Sequence, residues 1–460
     1  MTLGGIVRIF LSSVLITLGL SPVWAAPSSQ SNLLSLYCEA RTQDPKVLTS
    51  RYNALAAEAR EREALGALLP QVSASGQFNR TRRSGDVPTE YYNTHRYTLS
   101  LSQHIYNKSA WENYKKFHHR AIEGELQAED QQAEAAVELA RRYFSALAAQ
   151  DELDLIEAEL RTTQKSLDQA DALLAKQRIP RSEALQLQAR VETLKARVIE
   201  ADNQRTVHLE SLTELVGRPI TENLSRIRQD IKMTPPDEPM DTWVQRALSN
   251  NKSLLAHSAA IEASNAAVKE GRGGHYPSVS LNLSTQRSDV GYDNVIAPRT
   301  NSLIAAVNVN IPIYSGGSTL ARGRGLYNEL LSTQQNYEAV KRELVKNSTS
   351  AYLTLQASTK KIDAITQALQ AANESRVASE VMFERSLINA VDMLNSVQQE
   401  FSARRDLLQT HYDFVINRLM LSRWAGAFSA QSIFDVNGWL EGAALPTAST
   451  GIDYQCQTSP

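Results

Sequence analysis

The chain has 460 residues, of which 21% are charged, and its formal net charge is −2. This length has room for two or three ordinary domains. The balanced charge gives no sign of the basic excess that marks nucleic-acid-binding proteins, so we expect no nucleic-acid partner.

The N-terminal segment has the pattern of a secretory signal peptide. Arg8 gives it a positive start, and residues 9–20 form an apolar run that is too short to span a bilayer. The residues ending at Ala25 fit a cleavage site, so we predict a signal peptide at 1–25. The alternative is a short membrane anchor. No later apolar run reaches the roughly 18 residues of a transmembrane helix, so we expect an exported protein.

After this segment the chain repeats one order of elements twice, about 208 residues apart. Each copy runs from a helix through a proline, Pro70 or Pro277, into two alternating segments and then a long helical tract. A repeat of this size indicates duplication of a whole supersecondary assembly. Polar gaps between the two alternating segments of each copy predict exposed hairpin loops.

The predicted elements follow this order in both copies. The first repeat, 26–218, has a helix at 28–66, strands at 71–80 and 95–106, and helices at 109–178 and 182–217. Asp44-Pro45 interrupts the start of the first helix, and Asn250-Asn251 stands at the matching place in the second repeat. The second repeat, 240–426, has a helix at 240–270, strands at 278–287 and 302–313, and helices at 318–386 and 389–425. A linker at 219–239 joins them, and a small apolar cluster at 427–445 precedes a polar tail at 446–460.

The alternating segments predict strands with one apolar and one polar face. In the clearest of them, Leu303, Val307 and Ile311 fall on one face, whereas Asn308 and Asn310 fall on the other. Alternation with a period of two is typical of a strand whose two faces meet different surroundings.

The two long tracts contain very few helix breakers. Residues 125–216 have one proline and no glycine over 92 residues, and residues 326–425 have neither over 100 residues. About 65 helical residues would extend about 100 Å. Apolar residues at seven-residue spacing predict helices packed along a shared seam. They are Leu153, Leu160, Leu167 and Leu174 in the first tract and Leu394, Phe401, Leu408 and Val415 in the second.

Each long tract is predicted to fold back once. In the first tract Pro180 disfavours helix at the residue before it, so 178–183 is expected to form a turn with Ser182 as the next N-cap. The matching turn is predicted at 387–392. The returning helices are shorter than the outgoing ones, and we expect the first helix of each copy to complete their length by stacking end to end.

The two cysteines, Cys38 and Cys456, lie near the two ends of the mature chain. An even count in an exported protein favours a disulfide between them. The alternative is two unrelated thiols, one buried and one in the polar tail.

The sequence carries no recognisable catalytic constellation. The eight histidines are scattered, and none forms the i, i+4 pair that a helical metal site prefers. No glycine-rich phosphate loop follows a strand. We therefore predict no enzymatic activity, no cofactor and no metal site, although an exported enzyme on a helical scaffold remains an alternative.

Four strands with one apolar face pose a packing problem. The long helices have their own seam, and four strands cannot close a barrel, because membrane barrels begin at about eight. Either the strands pack as a half-buried sandwich, or several chains contribute strands to one barrel whose apolar face meets lipid. Strands of about 10 residues suit the second solution. So do the aromatic residues near strand ends, namely Tyr91, Tyr92, Tyr97, Tyr106, Tyr276, Tyr292 and Tyr314.

Several short motifs recur in one order over about residues 31–440. They are the two proline markers, Gln103-His104-Ile105-Tyr106-Asn107, the segment Asn310-Ile311-Pro312-Ile313-Tyr314-Ser315-Gly316-Gly317, the mid-tract turns and the Leu-Val-Gly-Arg-Pro close at 215–219. In these motifs and their double occurrence the chain resembles the TolC family of outer-membrane efflux and type I secretion proteins. Each motif alone is weakly specific, whereas their order and spacing are highly specific.

The resemblance implies a fold that joins a membrane β-barrel to a long α-helical coiled-coil barrel. Three copies would share a twelve-stranded barrel in the outer membrane, with four strands from each chain, and a helical tunnel through the periplasm. It also implies a passive duct for efflux or type I secretion. Such a duct docks onto a periplasmic adaptor and an inner-membrane transporter, and outer-membrane lipid surrounds its barrel.

The family closes the periplasmic tip of the tunnel with acidic rings and polar contacts between helices. By position, the first acidic ring falls on Asp392 and the second on Asn395, which lacks the charge. Three copies of Asp392 around an axis would repel one another and attract cations. The alternative for Asp392 and Glu183 is that both are merely acids at helix N-termini, stabilised by the helix dipole.

The resemblance also locates the polar gate network, with two departures. The gate tyrosine falls on Phe383, which has no hydroxyl, and the gate arginine falls on Ile388, which has no charge. Their partners on the first turn fall on Ser182 and Glu183. Arg385 or Arg178 is a candidate replacement for the missing arginine.

Two further functions remain as alternatives to a duct. A periplasmic adaptor is also rich in helical hairpins, but it has a single hairpin and no duplicated strand pairs. A structural coiled-coil protein without a pore would need no membrane strands.

Overall fold

The computed structural model describes residues 31–86, 89–228, 230–292 and 299–442. Within these residues the chain forms nine helices and four strands, numbered here in chain order. The helices are α1 (Leu33–Gln43), α2 (Pro45–Gly66), α3 (Lys108–Ala175), α4 (Arg181–Val216), α5 (Met240–Asn250), α6 (Lys252–Gly273), α7 (Ser318–Glu384), α8 (Ala390–Trp424) and α9 (Ala430–Asn437). The strands are β1 (Gln71–Arg83), β2 (Glu90–Asn107), β3 (Ser278–Tyr292) and β4 (Thr300–Asn310).

Three sequence predictions fall outside the described residues. They are the signal peptide at 1–25, the polar tail at 446–460 and the cysteine Cys456. The disulfide between Cys38 and Cys456 therefore stays a prediction.

Each helix predicted ahead of a proline marker, at 28–66 and 240–270, is a pair of helices, divided at the interruption noted in the sequence at Asp44-Pro45 and at the matching Asn250-Asn251. Asp44 separates α1 from α2 with ψ of 117°, and Asn251 separates α5 from α6 with ψ of 123°. Both side chains then accept a hydrogen bond from an N–H of the following helix, at 2.8 Å and 3.0 Å. One extended residue thus ends a helix and caps the next.

The four strands form one antiparallel sheet in the order β1-β2-β3-β4. The central pairing of β2 with β3 joins the two repeats and places Leu101 opposite Leu283. A bulge between His104 and Tyr106 shifts the register near the helical end of β2. Because the repeats meet in the middle of the sheet, the outer edges belong to β1 in one repeat and to β4 in the other.

The strands differ from the predicted ranges at their ends. β1 continues to Arg83 and β2 begins at Glu90, so the polar gap predicted as a loop is partly strand. Ladder pairing needs only backbone groups, whereas alternation of hydropathy detects only the part of a strand that has one apolar face. β4 ends at Asn310, before the predicted end at 313, because Pro312 cannot donate to a ladder.

The two faces of the sheet differ in polarity and in exposure. Register pairs place Leu99 of β2 on the same face as Leu303 of β4, which is 84% exposed. Exposed apolar residues of this face, here called the outer face, are Val72, Phe78, Tyr97, Leu99, Leu283, Leu303, Val307 and Val309. The opposite face carries Ser, Thr, Asn and Gln side chains such as Ser73 and Ser100, whose hydroxyls lie 2.8 Å apart.

The helices form a layer that continues from one end of the sheet. α3 has 68 residues and α7 has 67, so each extends about 100 Å. Near the sheet the neighbours run α2, α3, α6, α7, and beyond it they run α4, α3, α8, α7. In each repeat, the helices before the strands cover the part of the long helix near the sheet, and the returning helix covers the rest. This agrees with the end-to-end stacking expected from the sequence. No helix in the described part of the chain is long and apolar enough to cross a membrane.

The seam residues identified by seven-residue spacing pack in the interior of this layer. Leu153 and Leu160 lie in one apolar cluster between α3 and α4, and Phe401 and Leu394 lie in another nearer the turns. Leu408 and Val415 belong to a third cluster in the middle of the layer. The periodicity therefore identified the buried side of the long helix α3 and of the returning helix α8.

The predicted linker at 219–239 and the predicted cluster at 427–445 form one body around the middle of the helices. Backbone bridges join Ser31 to Leu224 and Ile227 to Leu440. The N–H of Glu441 donates to the carbonyl of Arg226 at 2.7 Å. Apolar side chains from this body, namely Ile220, Ile433, Val436 and Leu440, share a core with helix residues that include Leu33, Tyr143, Phe144, Leu212, Tyr412 and Val415.

A buried polar cluster anchors this body to the helices. The Asp151 carboxylate is 7% exposed, accepts a hydrogen bond from the Tyr412 hydroxyl, and lies 3.0 Å from Nε of Arg226. Arg226 also pairs with Asp154. Burial raises the pKa of Asp151, whereas the Tyr412 hydroxyl and Arg226 lower it. Arg226 thus supplies the cation that makes this burial tolerable.

Arg226→Met should lower the free energy of unfolding at neutral pH by about 1–3 kcal/mol, because the Asp151 carboxylate stays buried without its cation. The pKa of Asp151 is raised in the fold, so the protonated form is the one that folding favours. The penalty should therefore shrink as pH falls through this raised pKa and grow as pH rises above it. Urea titrations followed by far-ultraviolet circular dichroism at several pH values measure both effects.

Arg161→Met is the matched control, because Arg161 pairs with Glu157 at 3.5 Å on the exposed surface of one helix. It should change stability by less than about 0.5 kcal/mol at every pH. Equal losses for the two substitutions, or a penalty that grows on acidification, would contradict the anchoring role of Arg226.

Candidate gate at the two helix turns

The two helix turns lie at the end of the layer that is farthest from the sheet, and they share one backbone geometry. Gln177 and Ser386 adopt φ of 57° and 58°, in the left-handed region that residues other than glycine rarely occupy. In each turn the next N–H donates to the carbonyl five residues earlier, at 3.0 Å from Arg178 to Leu173 and at 2.9 Å from Leu387 to Met382. This satisfies carbonyls that a helix end leaves unpaired.

Two details of the first turn differ from the prediction. α3 already ends at Ala175, so the left-handed Gln177 ends the helix, and not Pro180. Pro180 is itself the N-cap of α4, with φ of −72° and ψ of 152°, and Ser182 lies inside the first helical turn. The prediction of Ser182 as N-cap is therefore wrong.

An apolar cluster joins the two turns to each other. Phe383 is 1% exposed and packs with Ile179 of the first turn and with Leu187 and Met393 of the returning helices. Ile388 lies partly buried against the same cluster. The two positions that the resemblance assigned to a polar gate network thus belong to an apolar core, and burial supplies the attraction there.

Two hydrogen bonds also cross between the repeats at this end. Oε2 of Glu183 accepts from the N–H of Ala390, the first residue of α8, at 3.3 Å. This N–H is an unpaired donor of a helix N-terminus, where the helix dipole also favours a carboxylate. Nε2 of Gln169 donates to Oε1 of Glu384 at 2.9 Å and links the ends of α3 and α7. Separating the two hairpins would break both bonds.

Asp392 and Asn395 are exposed and lie three positions apart near the start of α8. This spacing puts them on one side of the helix. Oδ1 of Asn389 accepts from the N–H of Asp392 at 2.9 Å and caps the helix. Asp392 is therefore an acid at a helix N-terminus, as is Glu183 at the start of α4. A position on the pore axis for Asp392 stays a prediction.

Ser182, Arg178 and Arg385 are exposed on the two turns. Arg385 is the C-cap of α7, and its N–H donates to the carbonyl of Val381 at 3.3 Å. Their roles as gate partners stay predictions.

Sequence reasoning missed the contact between Gln169 and Glu384. The two residues are 215 positions apart, and each occurs in a tract rich in similar polar residues. It also missed the acceptor role of Glu183, because the partner of Glu183 is a backbone N–H, which leaves no trace in residue type. The one usable signal was position, since Glu183 sits in the first turn of a helix that begins at a predicted tip.

A sheet with an apolar outer face that continues into a duplicated layer of long helices defines the class of outer-membrane channels with a periplasmic tunnel. A profile of the outer membrane efflux protein family matches residues 36–218 and 243–427, one match for each repeat. The chain belongs to the outer membrane efflux protein family. This is a family of channels and not of enzymes.

Known proteins agree with this assignment over most of their length. The chain is 26% identical to outer membrane protein TolC of Vibrio cholerae over 436 residues, which is 94% of this chain and 98% of TolC. It is 26% identical to the alkaline protease secretion protein AprF of Pseudomonas aeruginosa, over 80% of this chain and 79% of AprF. The crystal structure of the CmeC outer membrane channel of Campylobacter jejuni has the same fold, with a TM-score of 0.77, 14% identity, and coverage of 94% of this chain and 97% of CmeC.

Glu183→Ala should loosen the contact between the two hairpins, because the N–H of Ala390 loses its only side-chain acceptor in the described structure. A bond of this kind contributes about 1 kcal/mol, so backbone amides at the start of α8 should exchange about fivefold faster. Hydrogen–deuterium exchange with mass spectrometry of peptides covering 385–395 measures this rate.

Glu192→Ala is the matched control, because Glu192 lies on the same helix and pairs only with Lys195, at 2.9 Å, among the described residues. It should leave exchange in this region unchanged. Unchanged exchange in Glu183→Ala, or an equal increase in both variants, would contradict the bridging role of Glu183.

Proposed function

We propose that three copies of this chain assemble into a passive export duct that spans the outer membrane and extends through the periplasm. The observation that carries the proposal is that one chain leaves both edges of its sheet and both edges of its helical layer open. The duct itself performs no covalent chemistry and takes its driving energy from a partner transporter.

The open sheet edges require closure. Within the described residues the outer edges of β1 and β4 pair with no other strand, and the outer face is apolar. In lipid, unpaired backbone groups at such edges cost several kcal/mol each, so a sheet in a membrane must close on itself. Four strands are too few, whereas three copies supply twelve, with β4 of one copy beside β1 of the next.

The helical layer has a matching pair of open edges. α2 and α4 lie at one edge, and α7 lies at the other. Exposed apolar side chains occur on both edges, namely Tyr52, Leu55, Ile199 and Val207 on the first and Leu331, Leu353 and Val377 on the second. Contact between these edges of neighbouring copies would bury them and close a ring of helices around a hollow.

The names of the relatives support export as the process. The matching family is described as an outer membrane efflux protein and one relative as an alkaline protease secretion protein, so both efflux and protein secretion fit the chain. We propose that the duct docks onto a periplasmic adaptor and an inner-membrane transporter, which select the cargo. The tip formed by the two helix turns is the end that faces these partners.

We further propose that the tip is the gate of the duct. Its closed form is held by the apolar cluster around Phe383 and by the bonds of Glu183 and Gln169 between hairpins. Asp392 faces the axis, so that three carboxylates meet in a narrow space and recruit cations. The chain lacks a second acidic ring, since Asn395 stands at that position.

The protein extracted from outer membranes in mild detergent should run as a trimer in unboiled gel samples and should conduct ions in a planar bilayer. Twelve strands enclose a barrel interior that admits water, so the conducting unit needs all three copies. Mass photometry gives the stoichiometry, and single-channel recording gives the conductance.

A monomer in the periplasmic fraction would contradict the duct and would favour an adaptor or a coiled-coil protein without a pore. Heat-dissociated monomers added to the same bilayer provide the control, and they should not conduct.

Asp392→Ala should weaken the block by multivalent cations added from the periplasmic side by about tenfold or more, because the variant loses three converging charges. Asn395→Asp should strengthen the block, because it adds three charges one helical turn further along the same side of α8. The concentration of cation that halves the single-channel current measures both effects. Unchanged block in both variants would show that this side of α8 is turned away from the pore.

A further inference from the structure

The outer face of the sheet changes from apolar to basic toward its hairpin end. In β1 the even-numbered residues run from Val72 and Phe78 to Arg80 and Arg82. In β3 the same face runs from Leu283 to Arg287. Arg80, Arg82 and Arg287 are exposed, and they are called the rim arginines below.

Strand register places the rim arginines on the lipid-facing side. Residues directly opposite each other in an antiparallel pair share one face. Val72 pairs with Leu101 at one end of β1, and Arg82 pairs with Tyr91 at the other, ten residues away on the same face. Arg287 lies opposite Tyr97, whose exposed ring belongs to this face as well.

The Tyr91 ring lies beside two of the rim arginines, Arg80 and Arg82. The guanidinium carbons of Arg80 and Arg82 lie 5.8 Å and 6.0 Å from the centre of the Tyr91 ring. The Phe78 ring packs edge-to-face on Tyr97 at 5.7 Å. Arginine beside aromatic rings, directly above an apolar band, is the composition expected at the level of lipid headgroups.

The distances along the strand fit this level. Arg80 lies eight residues beyond Val72 in β1, which is about 27 Å along the strand and about 20 Å along a barrel axis tilted by about 40°. An outer-membrane barrel has an apolar band about 25 Å tall. The hairpin end is opposite the helical layer, so the rim arginines reach the leaflet on the far side of the membrane from the periplasmic helices.

Other charges on this part of the face do not cancel the rim arginines. Asp289 of β3 lies on the same face, and its carboxylate is paired with Nε of Arg299 at 3.1 Å. Within the described residues no acidic group forms an ion pair with a rim arginine. The patch is thus basic where the apolar surface ends.

We propose that the rim arginines bind the phosphate groups of anionic glycolipid headgroups in the outer leaflet. Guanidinium groups bind phosphate through two parallel hydrogen bonds, and this contact strengthens at the edge of a low-dielectric layer. The proposal rests on the proposed function in one respect, namely that the outer face of the sheet contacts lipid. It assigns this face a specific headgroup chemistry in addition to apolar contact.

Arg96 provides a matched control within the same sheet. It lies in β2 opposite Gln77 and next to Tyr97, so it belongs to the polar face and points to the interior of the proposed barrel. Arg96→Gln removes one positive charge from the same part of the chain without touching the lipid-facing side.

The test compares wild-type trimer, the double variant Arg80→Gln with Arg82→Gln, and Arg96→Gln. Native mass spectrometry of each trimer, titrated with a bis-phosphorylated diglucosamine glycolipid, gives apparent affinities. Each arginine near an anionic surface contributes about a fivefold gain, so the double variant should bind about 30-fold more weakly. Arg96→Gln should bind like the wild type, and the glycolipid without its phosphates should bind all three proteins equally weakly.

Equal affinity of the double variant and the wild type, equal loss in Arg96→Gln, or equal binding of the dephosphorylated glycolipid to the wild type would overturn the proposal. Competition by millimolar inorganic phosphate alone would show a site for free phosphate and would overturn it as well. Migration as a trimer in unboiled gel samples confirms that each variant is assembled. A wild-type protein that forms no trimer would instead contradict the duct, so the two failures are distinguishable.

Discussion

Backbone hydrogen bonding at the edges of the sheet constrains the whole molecule. In lipid, the unpaired N–H and C=O groups of a strand edge have no water with which to form hydrogen bonds. The sheet of this chain has two such edges, β1 in the first repeat and β4 in the second. Pairing within one chain is blocked, because β1 and β4 are separated by the full width of the sheet. In the proposed trimer, contact between neighbouring copies would pair the two open sheet edges and cover the two open edges of the helical layer.

In the helical layer, pairs of shorter helices stacked end to end match the length of the long helices α3 and α7. α2 and α6 lie beside the parts of α3 and α7 that are near the sheet, and α4 and α8 lie beside the parts that are near the helix turns. The gap between these pairs is bridged by the linker and the C-terminal body, whose core residues pack on α3 and α8. The ion pair between Asp151 and Arg226 attaches this body to α3 near the middle of the layer. The region that joins the stacked helices therefore also contains a contact that stabilises the fold.

At the two helix turns, apolar packing contributes more and polar contacts contribute less than the resemblance to the family predicts. Phe383 and Ile388, which the resemblance places at polar gate positions, lie in an apolar core shared by both hairpins. The remaining polar links, from Glu183 to a backbone N–H and from Gln169 to Glu384, are not ion pairs. Contacts of this kind depend little on salt, whereas networks of exposed charges weaken as salt screens them.

Periodicity in the sequence alone established the duplicated order of strands and helices, the apolar face of each strand and the buried sides of α3 and α8. These features follow from local rules, because a period of two or seven is visible wherever neighbours alternate. The polar hairpin ends of the strands and the acceptor role of Glu183 were decided only by the tertiary structure. Each depends on a backbone partner, and residue type carries little information about which backbone group a residue meets.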